Sequence, residues 1–139
     1  MFYKIDSVLL VDDDRSANFF HQRLIHKNAW AKEVRSVLNG QEALDYLSQE
    51  DKDASPHPDV IFLDLNMPLM SGWEFLDAYQ QLNIPPESLP RIFILTTSVN
   101  PDDRTKAESY ELVQGFYEKF LKKEALADIA STYFTEEEE

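Results

Sequence analysis

Cysteine is missing from the 139-residue chain, which excludes disulfides, thiolate metal sites and a cysteine nucleophile. Its absence fits a reducing cytosol. Long apolar runs are missing too: no stretch approaches the roughly 20 residues of a membrane span, and the opening MFYKIDSVLL has no signal-peptide layout. A soluble, cytoplasmic protein with no membrane contact is expected. Positive charge is scarce, with 13 Lys and Arg against 26 Asp and Glu and a formal net charge of −13. Nucleic-acid binding rests mainly on neutralising phosphates, so the chain is not expected to hold DNA or RNA. An anionic membrane surface would repel it for the same reason. The histidines His21, His26 and His57 lack ligand spacing, which removes the usual zinc patterns and leaves them as surface or helix-face residues. Low complexity is confined to the closing Glu136–Glu139, read as a solvated acidic tail.

What is present is an ordinary globular composition, 43% hydrophobic and 28% charged, in a length that suits one domain with a single core. The expected domain is 1–135, with 136–139 as its tail. Three apolar runs stand out: Val8-Leu9-Leu10-Val11, Val60-Ile61-Phe62-Leu63 and Ile92-Phe93-Ile94-Leu95. Continuous blocks of this kind read as parallel strands buried on both faces. Two weaker strands are expected at Lys32–Val37, an alternating and half-exposed edge, and at Gly115–Phe120.

Helical patterns lie between the runs. Ala17, Phe20 and Leu24 share one face, as do Ala43, Leu44 and Leu47, and Phe75, Leu76 and Tyr79. Ser71-Gly72-Trp73-Glu74 reads as a capping box. Asn100-Pro101-Asp102-Asp103 sets an N-cap, a Pro at the first helical position and two acids in the first turn. A last helix, roughly Lys122 to Phe134, is expected to bury Leu126, Ile129 and Ala130. The stretches Glu50–Pro58 and Ile84–Pro90 read as loops. The order is βα repeated five times, which calls for a parallel sheet with helices on both faces.

Every apolar run ends in polar residues, and parallel strands bring those ends to one sheet edge. Asp12, Asp13, Asp64, Thr96 and Lys119 therefore gather around one crevice, where open α/β sheets bind ligands. Clustered carboxylates make a hard, all-oxygen site that suits Mg²⁺. A carboxylate can also act as nucleophile in phosphoryl transfer, giving an aspartyl phosphate. Thr96 offers a hydroxyl and Lys119 a compact cation to phosphoryl oxygens.

On these residues the chain resembles the receiver domain of two-component response regulators, over nearly its whole length. The matching segments are LLVDDD, IFLDLNMPLMSGWEF, IFILTTS and GFYEKF. The resemblance implies a flavodoxin- or CheY-like (βα)5 doubly wound sheet of strand order 2-1-3-4-5. It implies Asp64 as phosphoacceptor, and Asp12, Asp13, Asp64 and the Asn66 carbonyl as the Mg²⁺ site. Thr96 would be the switch hydroxyl, Lys119 the lysine on the phosphoryl group, and Phe116 the aromatic that changes rotamer with Thr96. Phe116 also reads as a core residue. Asp14 is expected to cap the first helix. Where the family usually has Lys-Pro, this chain has Lys119-Phe120. A cis bond before a non-proline costs about 2.5–4 kcal/mol, so a trans bond is expected.

The resemblance points to a stand-alone receiver of a two-component or phosphorelay system, fed by a sensor histidine kinase or a histidine phosphotransfer domain. Such a protein catalyses its own phosphorylation and dephosphorylation yet acts as a signalling switch. Its output surface is expected on the fourth helix, fifth strand and fifth helix, with a phosphorylation-linked homodimer as one use. A non-switching interaction module on the same fold is the alternative, favoured by Lys119-Phe120. A phosphatase working through an aspartyl intermediate is a third reading. It is disfavoured because Asn66, two residues beyond Asp64, offers no acid to a leaving group.

Overall fold

The apolar blocks do form the centre of a sheet. The structure is a computed structural model describing residues 5–48, 57–82, 84–85 and 89–134. The Glu136–Glu139 tail and most of the Glu50–Pro58 loop lie outside the described residues. In chain order the elements are β1 (Ile5–Val11), α1 (Arg15–Lys27), β2 (Ala31–Val37), α2 (Gly40–Ser48), β3 (Val60–Leu63), α3 (Gly72–Gln80), β4 (Arg91–Thr96), α4 (Pro101–Glu108), β5 (Val113–Glu118) and α5 (Lys123–Tyr133).

The five strands are parallel and lie in the order β2-β1-β3-β4-β5. All of β3 is buried, because β1 and β4 flank it and helices cover both faces. Its register aligns Val11 with Leu63 and Leu63 with Ile94. The tips of β1 and β3 therefore end level, and β4 runs two residues further, to Thr96.

Side-chain alternation along the strands divides the core in two. Val8, Leu10, Phe62, Phe93 and Leu95 pack with Ile25 of α1 and with Leu126, Ile129 and Ala130 of α5. On the other face, Leu9, Ile61, Leu63 and Ile94 pack with α2, α3 and Ala107 of α4. The first face is tied across the chain by Trp30, whose Nε1 donates to the Leu126 carbonyl at 2.7 Å. The edge strand β2 buries little beyond Ala31. Among the described residues, no helix is long and apolar enough to cross a membrane.

Two details differ from the sequence expectation. Alpha-helix α1 turns Phe20 outward and buries Ala17, Asn18, His21 and Ile25 instead. The apolar count favoured Phe20, but Asn18 and His21 find partners inside: Asn18 Nδ2 donates to the Asp12 carbonyl at 2.9 Å, and His21 Nε2 accepts from the Leu121 N–H at 3.1 Å. His21 is therefore not a surface residue. The second correction is the Lys119–Phe120 peptide, which is cis. The trans expectation weighed only the intrinsic preference. It left out the contacts on either side of the bond, where Lys119 N–H donates to the Thr96 carbonyl and the Phe120 ring lies against Phe20 and His21.

Candidate functional site

Asp12 follows β1 directly, Asp64 follows β3, Thr96 ends β4 and Lys119 follows β5. Strand order reverses between β1 and β3, so Asp12 and Asp64 flank the switch point of the sheet, where such folds open a crevice. Asp12, Asp64 and Thr96 are buried while Asp13 is exposed.

The structure brings these side chains together. Lys119 Nζ lies 2.7 Å from Asp12 Oδ2 and 3.4 Å from Asp64 Oδ2. One carboxylate oxygen from each of Asp12, Asp13 and Asp64 lies within 4.8 Å of the others. Local bonds hold Asp12 in place, with the Asp14 N–H donating to its Oδ1 at 3.0 Å and Asn18 holding its carbonyl. Asp14 caps α1 by accepting from Ser16 and Ala17 N–H.

The electrostatics of the crevice are set by burial and by four charges in a small space. Burial pushes the Asp64 carboxyl above the usual carboxylate range. The Lys119 ammonium opposes that shift, the Asp12 charge adds to it, and the Asn66 N–H opposes it by donating to the carboxylate. Burial alone would lower the Lys119 ammonium, but its bond to Asp12 and the charges of both carboxylates outweigh burial and raise it. Lys119 is thus a firm cation in a site with an excess of negative charge. A set of three clustered carboxylates, all offering oxygen, fits a hard divalent cation.

The loop after Asp64 is built for close approach. Met70 N–H donates to the Pro68 carbonyl at 2.7 Å, around Leu69 at φ 70°. This is a γ-turn with its central residue in the left-handed region. A Cβ on Gly72 would stand 2.6 Å from the Asp64 carbonyl oxygen and 2.9 Å from Leu65 Cα. Only glycine lets α3 begin against the backbone that carries Asp64. The Ser71–Glu74 capping box then starts the helix.

The Thr96 hydroxyl accepts from Ser98 N–H at 3.3 Å, and Ser98 Oγ donates to Asp103 of α4 at 2.5 Å. Phe116, the expected switch aromatic, is half-buried on β5 under the Arg104 guanidinium, 4.8 Å from its ring centroid. Asn66 is exposed beside the acidic cluster. Sequence reading passed over His21 and Asn18. Nothing local in the sequence marks either one, because their partners lie on other elements.

Comparison with known proteins agrees with this fold. The family model of the response regulator receiver domain matches residues 8–131. Response regulator Rcp1 from Synechocystis sp. is 34% identical over 106 residues, covering 76% of this chain and 69% of that protein. A two component response regulator from Cytophaga hutchinsonii has a similar structure, with 34% identity, a TM-score of 0.83 and coverage of 92% of this chain and 96% of that one. A response regulator receiver protein from Dyadobacter fermentans is similar at 28% identity and a TM-score of 0.78, covering 94% and 98%. Other relatives are longer: the chain spans 64% of one and 37% of another.

Proposed function

The chain belongs to the response regulator receiver family, and from that premise we propose that it accepts a phosphoryl group on Asp64. The donor is a phosphohistidine on a sensor histidine kinase or a histidine phosphotransfer domain. One observation carries this reading: a buried carboxylate at the tip of β3 with an ammonium 3.4 Å away and two further carboxylates beside it. A purely structural module gains nothing from such mutual repulsion.

Asp12, Asp13, Asp64 and the Asn66 carbonyl would hold Mg²⁺. When bound, the cation offsets the repulsion between Asp64 and an incoming phosphoryl group and stabilises charge on the phosphoryl oxygens. An Asp64 carboxylate oxygen then attacks phosphorus in line with the leaving nitrogen. The new O–P bond forms as the N–P bond breaks, and the imidazole nitrogen keeps the electron pair and takes up a proton. Lys119 has three N–H donors and can turn one from a carboxylate to a phosphoryl oxygen. Thr96 can donate its hydroxyl to another.

Drawing Thr96 towards the phosphoryl group takes the acceptor away from Ser98 N–H. Ser98 is also bonded to Asp103, so α4 feels the change, and Phe116 under Arg104 can re-pack beside it. The output surface is accordingly the face of α4, β5 and α5. The non-switching alternative was favoured by Lys119-Phe120 in place of Lys-Pro. Lys119 lies within reach of both carboxylates, which supports the phosphoacceptor reading.

Transfer can be followed with a phosphotransfer domain radiolabelled on its histidine, in the presence of Mg²⁺. The label is expected to move to the wild-type chain and not to Asp64→Asn. Label that stays on several such donors, or reaches Asp64→Asn equally, contradicts the reading.

A further inference from the structure

We infer that His21 is a positioning residue for Lys119: a neutral imidazole on α1 that grips the segment behind Lys119 and so fixes where its ammonium points. The part of this that concerns phosphoryl transfer rests on the proposed function, whereas the grip itself stands on geometry.

β5 ends at Glu118 and α5 begins at Lys123, so Lys119 sits in a short connection with no strand partner to hold its far side. Its near side is fixed by its own N–H, which donates to the Thr96 carbonyl at 2.9 Å. Two residues on toward α5, the Leu121 N–H is buried and donates to His21 Nε2 at 3.1 Å. A buried N–H beyond the end of a strand must find an acceptor somewhere. Here a side chain 100 positions away supplies it. Lys119 is thus held between β4 on one side and α1 on the other.

The rings add to the grip. The Phe120 ring centroid lies 5.2 Å from that of His21 and 5.2 Å edge-to-face from that of Phe20. His21 itself is only 1% exposed. For Nε2 to accept, the imidazole proton must sit on Nδ1 and the ring must be neutral. Burial, and then the Lys119 charge, hold the imidazole down at about 4, which keeps it an acceptor at neutral pH. A protonated His21 could neither accept from Leu121 nor stand near Lys119 without repulsion.

The direct test is a through-hydrogen-bond nitrogen–nitrogen coupling between Leu121 N and His21 Nε2 in the ¹⁵N-labelled wild-type protein. Its detection supports the inference, and its absence in a well-resolved spectrum overturns it. Two variants extend the test to the chemistry. His21→Leu keeps the volume and removes the acceptor, while His21→Gln restores one. With acetyl phosphate and Mg²⁺, phosphorylation of His21→Leu is expected to slow roughly ten- to a hundredfold, the scale set by a small misplacement of a reacting group. Exchange of the Leu121 amide should quicken in step, and His21→Gln should recover most of both. An unchanged rate and unchanged Leu121 exchange in His21→Leu overturn the inference, as do equal losses in both variants. Should His21→Leu not fold, the wild-type coupling decides. Should the wild type take up no phosphoryl group, the proposed function fails, and the grip is still judged by the coupling and by Leu121 exchange.

Discussion

Helices α3 and α4 lie side by side on the same face of the sheet and are held there by opposite means. Alpha-helix α3 opens on a capping box and buries Gly72, Phe75, Leu76 and Tyr79. Alpha-helix α4 buries Ala107 alone. Its other contacts are at the rim: Lys106 Nζ lies 4.7 Å from the Trp73 ring centroid, Arg104 covers Phe116, and Tyr110, just past its end, donates its OH to Asp77 at 2.9 Å. Apolar burial is non-directional and large, while rim contacts of this kind are worth a fraction of a kcal/mol to about 1 kcal/mol each. The first helix is scaffold for Asp64, since its first residue packs against the Asp64 carbonyl. The second can shift at small cost, and its N-terminal turn is the one linked to Thr96 through Ser98. Rigidity sits under Asp64, the proposed acceptor, and compliance beside Thr96.

The contrast can be broken most forcefully at Phe75. Phe75→Ala is expected to lower global stability by about 3–5 kcal/mol, through lost transfer energy and an unfilled cavity. Urea unfolding measures it, and a loss below 1 kcal/mol would show that α3 is not the anchored member. A smaller effect is expected at the caps. Ser71→Ala should cost about 1 kcal/mol of global stability. The matching change at α4, Asn100→Ala, removes the acceptor of Asp102 N–H and should appear mainly as faster amide exchange in α4, with the unfolding midpoint nearly fixed. Equal midpoint shifts in the two would erase the difference between the helices. Smallest is Arg104→Ala, which removes the cation over Phe116 at a cost of about 0.5–1 kcal/mol. It should speed exchange within α4 and leave α3 untouched; unchanged α4 exchange would mean that this contact does not hold the helix.

Much of this frame was legible in the sequence because it depends on local rules. Beta-strand β3 spans the Val60–Leu63 apolar run, and Ser71 and Asn100 cap the helices they were expected to cap. Strand direction alone brought Asp12, Asp64, Thr96 and Lys119 to one edge. What escaped depends on partners outside the element that carries each residue. Periodicity counts apolar residues, so it turned Phe20 inward, while burial of Asn18 and His21 is decided by the Asp12 carbonyl and the Leu121 N–H. The geometry at Lys119–Phe120 escaped for the same reason, since Phe20 and His21 on α1 meet it from the other end of the fold. The thin burial of α4 could be read from its composition, PDDRTKAE. Its rim contacts with Trp73, Asp77 and Phe116 could not.

The central claim is that Asp64 takes a phosphoryl group with the help of a divalent cation held by its acidic neighbours. Intact mass after incubation with acetyl phosphate tests it most directly, comparing Mg²⁺ with excess EDTA and wild type with Asp64→Ala. A gain of one phosphoryl group is expected in wild type with Mg²⁺, lost on chelation and absent from Asp64→Ala. An equal gain in Asp64→Ala, or no gain in wild type while Mg²⁺ binding is demonstrated separately, would contradict it.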